Sequence, residues 1–205
     1  MSKWDMVQLE QLLSDTITGE WGQDCNNNLG VKVLRTTNFT NQGIIDYSKV
    51  VIRDISSNKV EKKKLLPRDI ILEKSGGSDN QPVGRVVFFN RSDDVFLCNN
   101  FTQILRVNSE IADSKYIFYY LHNLHKIGVT ELLQNKTTGI RNLQVKNYMA
   151  LQIALPPLFI QQKIAEILDL FNFIIDKSKL QFYKLDLLVK SRFVTSNLQR
   201  LEVPR

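Results

Sequence analysis

Up to Pro157 the apolar residues come in short runs that mostly alternate with polar ones and stop at glycine, proline, asparagine or charged clusters. That is the period-two signature of half-buried strands. Trp4 to Leu13 alternates and then clusters, predicting a short strand that runs into a helical turn. Further strands are predicted over residues 31–35, 50–55, 70–73, 84–89, 95–98 and 101–107, with a last one over 151–155 closed by Pro156-Pro157. Between them, residues 19–30, 36–43, 74–78 and 135–142 read as loops rich in turn formers. Residues 56–64, with Lys59, Lys62, Lys63 and Lys64, read as a solvated charged connection. A covering helix is predicted over 114–124, with Asp113 as its N-cap and Ile117, Phe118, Leu121 and Leu124 on one face. A second short helix is predicted over 127–134.

Beyond the prolines the period changes. Ile160, Ile164, Ile167, Phe171, Ile174, Ser178, Gln181, Leu185 and Leu188 step by four and three, a heptad seam impure at two positions. Leu168, Ile175, Phe182 and Val189 widen it, and residues 159–197 contain neither glycine nor proline. At 1.5 Å per residue such a helix extends about 55 Å or more, too long for a domain of this size to cover, so it predicts a partner.

Composition adds a basic excess of 27 Lys and Arg over 21 Asp and Glu, for a formal charge of +6 and a pI near 9.3. A polyanionic partner is favoured electrostatically by that excess, though charge alone does not identify one. The 205 residues suffice for one sizeable core plus an appendage. No apolar run approaches a membrane span and the first residues lack a signal peptide's apolar stretch, so a cytoplasmic location is expected. Cys25 and Cys98 belong to no CxxC pair or zinc spacing and are expected to be reduced thiols.

The segment Leu155-Pro156-Pro157-Leu158-Phe159-Ile160-Gln161-Gln162-Lys163-Ile164-Ala165-Glu166-Ile167-Leu168 resembles the junction in type I restriction-modification specificity subunits, where a target recognition domain meets a conserved helix. Other matching pieces follow the family's order: Trp4-x-x-Val7-x-Leu9, Leu66-Pro67-Arg68-Asp69-Ile70-Ile71, Ser75-Gly76-Gly77-Ser78, Gly84-Arg85, residues 114–121 and Gly139-Ile140-Arg141-Asn142-Leu143. The fold class implied is α+β: a mixed, mostly β target recognition domain with short helices over 1–156, then a long C-terminal coiled-coil helix over 157–200. In this family two such domains each read half of a bipartite double-stranded DNA site, with two antiparallel helices between them. The resemblance implies a non-catalytic half-subunit that carries no cofactor. S-adenosylmethionine, ATP and Mg are then expected only in the methyltransferase (modification) and restriction subunits it recruits. With one unit in this sequence instead of two, pairing is expected as a homodimer or with a second half-subunit, through Ile160, Ile164, Ile167, Phe171, Ile174, Phe182, Leu185 and Leu188.

Base reading needs donors and acceptors on loops, together with cations for phosphate. Three loops qualify: Arg35, Thr36, Thr37 and Asn38; Lys74, Ser75, Gly76, Gly77 and Ser78; and Thr137, Thr138, Arg141 and Asn142. Arg85 joins them as a candidate that either meets phosphate or pairs with an acid. Each loop also has an ordinary reading as a turn whose polar groups cap strands. Enzymatic readings find little support. Leu155-Pro156-Pro157-Leu158 lacks the residues that flank an adenine methyltransferase's prolines, and no GxGxxG or GxxxxGK[ST] occurs. Asp54 with Glu61-Lys62-Lys63 superficially matches a nuclease pattern inside a charged connection, and His122 with His125 lacks companion ligands. A scaffold or inhibitor that pairs with the modification subunit or a full-length specificity subunit, without binding DNA, is the alternative.

Overall fold

A computed structural model describes residues 4–25, 29–137 and 140–201, with side chains described except at 136, 137 and 193–201. The chain divides into two compact units, Met1–Gln162 and Lys163–Arg205. In the first, β1 (Asp5–Gln8) precedes β2 (Leu13–Thr18), β3 (Gln23–Asp24), β4 (Val31–Leu34) and β5 (Val51–Asp54). Then come α1 (Ser57–Lys63), β6 (Ile70–Glu73), β7 (Ser75–Gly77), β8 (Val86–Phe88), β9 (Phe96–Cys98) and β10 (Thr102–Val107). The order closes with α2 (Ser114–Lys126), β11 (Gln134–Thr137), β12 (Ile140–Leu143), α3 (Val145–Met149), β13 (Gln152–Leu155) and α4 (Leu158–Leu201).

Two sheets supply the core. One is antiparallel in the order β2-β10-β6-β8; the other runs β3-β5-β4-β9, with β4 and β9 parallel. Strand alternation sorts the side chains. Leu34, Phe96 and Cys98 join Ile71, Val87, Phe89 and Ile104 in the main cluster, whereas Val33 and Leu97 turn to the opposite face with Ile55. Val60 of α1 packs on that second cluster.

Residues 56–64 therefore form a helix rather than a loop, because Val60 has an apolar face to cover and Lys59 and Lys63 converge on Glu20 at 3.3 and 2.9 Å. The predicted loop 135–142 is instead largely the β11–β12 hairpin, and Ser75–Gly77 pairs with β12 as a strand. Helix α2 begins at Asp113, whose carboxylate accepts the Tyr116 N–H at 2.9 Å, as its N-cap spacing predicts. The second short helix is a 3₁₀ segment, Val129–Leu133, entered through Gly128 in the left-handed region.

The junction is locked inside the first unit. Gln161, 1% exposed, accepts from the Asp113 N–H at 2.9 Å and donates to the Pro156 carbonyl at 2.8 Å. In the second unit α4 continues as an unbroken helix on which Phe171, Ile174, Leu185 and Leu188 are exposed, and so are Phe173, Leu180 and Leu187. Among the described residues no helix is long and apolar enough to cross a membrane.

Candidate nucleic-acid interface

The candidate loops lie far apart in sequence, but two of them are tied to one pedestal, the turn between β9 and β10, and the third is paired with the second. Asn99 N–H donates to the Leu34 carbonyl at 2.9 Å, immediately before the first loop. On the other side, the Phe101 carbonyl accepts from the N–H groups of Lys74 and Ser75 at 2.9 and 3.2 Å, at the start of the second. The turn is closed by Thr102, whose N–H and hydroxyl both reach the Asn99 carbonyl, at 3.0 and 2.7 Å. Gly19, leaving β2, approaches so closely that a Cβ would lie 2.1 Å from the Asn99 carbonyl oxygen. The third loop joins through the β7–β12 pairing and a hydrogen bond from the Ser75 hydroxyl to the Asn142 side-chain oxygen.

Within the first loop the residues separate by role. Thr36–Asn38 is a 3₁₀ turn. Asn38 is buried, its side chain accepting from the Arg35 N–H and donating to the Asp46 carbonyl, both at 2.9 Å. Those bonds shape the loop, and the side chain is not offered to solvent. Arg35 donates from Nη2 to the Lys49 carbonyl at 3.2 Å, and its Nε is buried without a partner among the described residues. Thr37 is exposed and Thr36 half-buried.

Of the two alternatives open for Arg85, the structure shows the pairing with an acid. It is 8% exposed and donates to both Glu73 carboxylate oxygens, at 2.7 and 2.9 Å. Its remaining donors reach the carbonyls of Phe39 and Thr36 at 3.0 and 3.2 Å and Asn41 Oδ1 at 3.5 Å. With every face of the guanidinium occupied, phosphate has no approach. Arg85 instead ties the first loop to β6.

In the second loop Lys74 extends to Thr18 Oγ1 at 3.5 Å, and burial lowers its ammonium pKa. Gly76, at φ +91°, and Gly77 form the middle and end of β7, and Ser78 is exposed. A Cβ at Gly77 would sit 2.6 Å from the Gln81 carbonyl oxygen. In the third, Arg141 donates to Asp79 at 3.2 and 2.7 Å, and that carboxylate is 87% exposed. Thr137 ends β11 but its side chain lies outside the described residues, and so does Thr138 altogether.

The lysine cluster is largely neutralised. Lys59 and Lys63 hold Glu20, whose pKa they lower, and Lys64 pairs with Glu61 at 2.8 Å, while Lys62 is exposed. His122 stacks on Phe118 with centroids 5.7 Å apart, and His125 Nδ1 lies 2.7 Å from Thr130 Oγ1, so the two rings serve the core edge. Among the described residues no three His, Cys, Asp or Glu side chains are grouped to hold a metal.

Sequence reasoning passed over Asn41 and Phe101. Asn41 is exposed beside Arg85, within the stretch of polar residues that follows the first loop's candidates. Phe101 looked like the first residue of a strand, yet it forms the pedestal of the second loop.

Comparison with known proteins agrees with this architecture. A chain of Methanocaldococcus jannaschii described as a type I restriction enzyme MjaX specificity subunit is 21% identical over 170 residues, covering 82% of this chain and 39% of that protein. The S subunit of a type I restriction-modification system from M. genitalium superposes with a TM-score of 0.58 at 19% identity, over 86% of this chain and 41% of its own. The HsdS subunit of Thermoanaerobacter tengcongensis gives a TM-score of 0.56 at 20% identity, over 84% and 38%. The chain thus spans less than half the length of these relatives. The model of the type I restriction modification DNA specificity domain matches residues 1–181, and the chain belongs to that family.

Proposed function

We propose that this chain is a DNA sequence-reading subunit of a type I restriction-modification system. Its first unit reads one half of a bipartite duplex target, and α4 pairs with a second such unit and recruits the modification subunit. The observation that carries the reading is that the Asn99–Thr102 turn ties the first two polar loops together and the third pairs with the second through β7 and β12, so segments distant in sequence are joined. A rigid base that presents Thr37, Asn41, Ser78, Arg141 and Asn142 matches what groove reading needs: fixed donors and acceptors rather than a mobile loop. Arg141 fits a second requirement. Its partner Asp79 is almost fully exposed, so a phosphate or a base edge can take the place of that carboxylate without burying a charge.

The helix supports pairing. Its heptad positions Phe171, Ile174, Leu185 and Leu188 are exposed, and a separate row, Phe173, Leu180 and Leu187, repeats every seven residues on another face. The first row suits a helix partner and the second suits the modification subunit. If two copies pair about a twofold axis, the target is palindromic, because the same residues read both halves. No step of methylation or cleavage is assigned to this chain. S-adenosylmethionine, ATP and Mg belong to the partners in this reading.

The test is duplex binding by the chain with and without its modification subunit, titrated against salt, together with methylation profiling of cells that express both. A methylated motif with two half-sites at fixed spacing, and a logarithm of affinity that falls linearly with the logarithm of salt, is the expected outcome. No shift of duplex in either combination refutes the reading and leaves the helix as the working element of a scaffold.

A further inference from the structure

The candidate surface holds an aromatic ring among polar side chains. Phe101 is 45% exposed although the turn that carries it is fixed on both sides. Its carbonyl takes the two N–H groups that open the second loop, and Thr102 closes the turn through Asn99. One side of the ring rests on Gly76, where a Cβ would stand 3.4 Å from the ring's Cδ2 and where φ is +91°. Because the backbone sets the ring's position, little conformational freedom is lost when it meets a ligand. Its backbone neighbours are polar candidates: Lys74, which reaches Thr18, and Ser75, which is bonded to Asn142.

Among the features that duplex DNA presents in its major groove, the one that suits an aromatic ring is the C5-methyl of thymine, which hydrogen-bonding side chains cannot read. We propose that Phe101 is a specificity-determining residue that packs on the C5-methyl of a thymine in the half-site, so that one A·T pair is read through its methyl group. This rests on the DNA-reading function proposed above. The polar loops then supply hydrogen-bond discrimination at neighbouring positions.

The chain and its modification subunit are titrated with duplexes that carry the target found by methylation profiling, each thymine replaced in turn by deoxyuridine, which removes the methyl alone. One position should lose affinity by about fourfold, the worth of burying one methyl. Phe101→Ala should bind the thymine duplex about fourfold more weakly and be indifferent to deoxyuridine at that position, whereas Phe101→Leu should keep most of the discrimination. A wild-type scan that is flat at every thymine, a half-site without an A·T pair, or a Phe101→Ala chain that still discriminates overturns the proposal. Should Phe101→Ala fail to fold by its urea midpoint, the wild-type scan and Phe101→Leu decide. Sequence-specific, salt-dependent binding with a flat scan overturns the role of Phe101 alone. Absence of duplex binding overturns the DNA-reading function and this inference with it.

Discussion

Gln161 offers the sharpest energetic test of how the domain is built. The side chain is fully buried, and its amide is the partner of two backbone groups that have no other among the described residues: the Asp113 N–H at the start of α2 and the Pro156 carbonyl just before α4. Gln161→Leu keeps the bulk and removes both hydrogen bonds. Each of the two buried backbone groups left unsatisfied costs about 1–3 kcal/mol, and leucine's better transfer recovers about 1, so the net loss is about 1–5 kcal/mol. With a urea m-value of about 2 kcal/mol/M, the unfolding midpoint falls by about 0.5–2.5 M. Gln161→Glu should be worse at neutral pH, since a carboxylate still accepts from Asp113 but cannot donate to Pro156, and it adds a buried charge. Such a carboxyl has a folded pKa above its unfolded value near 4.3, so the stability gained by its protonated form is present below that value and lost as pH rises through the folded pKa. The glutamate variant therefore approaches wild type on acidification while the leucine variant does not. Leucine within about 0.5 kcal/mol of wild type, or glutamate with the same pH profile as leucine, refutes the assignment of two buried hydrogen bonds.

Further outcomes follow from the same geometry. Arg85→Met strands the buried Glu73 carboxylate and should cost about 3–5 kcal/mol in chemical denaturation, while the double variant Glu73→Leu/Arg85→Met recovers part of that loss. Burial, with Lys126 and His125 nearby, pushes the His122 ring down to about 4. The unfolded chain then takes up a proton near pH 6.5 that the folded one refuses, so stability falls between pH 7 and 5, by about 1 kcal/mol once solvent screening is allowed for, and His122→Phe flattens that part of the profile. In DNA binding, Arg141→Ala and Arg35→Ala should each relax preference at a particular base pair, whereas Lys62→Ala weakens all sequences evenly and flattens the salt dependence; equal behaviour of the three refutes the sorting. Leu185→Asp in the exposed seam should leave a monomer in sedimentation at concentrations where wild type pairs.

Much of this fold could be read from the chain because its signals are local. The alternation of Val33 against Leu34, and of Leu97 against Phe96 and Cys98, is the sheet's own period, and the heptad of α4 is written in consecutive residues. Where the reading failed, the stabilising partner is remote. Helix α1 draws on Glu20, 39 and 43 residues before the lysines it holds, so residues 56–64 looked like solvated charge. Arg85 and Arg141 look alike in sequence, each within two residues of a glycine at the start of an apolar run or strand. Only three-dimensional pairing puts Glu73 under the first and the exposed Asp79 beside the second. Asn38 was legible as a turn residue but not as a buried one. Phe101 was absorbed into the strand that follows it, since nothing in the alternation marks where a turn ends and a strand begins.

The junction and the helix together explain why the Pro-Pro to Gln-Gln segment stands out from the rest of the sequence. Pro156 offers a carbonyl and Pro157, just before the helix, accepts the N–H groups of Ile160 and Gln161, while the Gln161 side chain turns inward and bonds across to Asp113. One buried glutamine thus ends a strand, starts a helix and joins both to the cap of α2. The helix beyond needs no such local anchor, and its sequence shows this: past Ala165, which is buried, apolar residues occupy more than one face and stay exposed. A helix that is apolar on several sides is stable in water only when covered on those sides. The first row, at heptad spacing, is satisfied by one further helix. The row of Phe173, Leu180 and Leu187 lies on another face, so a two-helix pair leaves it in solvent. Under the proposed function, pairing of two units and docking of a modification subunit are then two halves of one physical requirement, and neither alone covers α4.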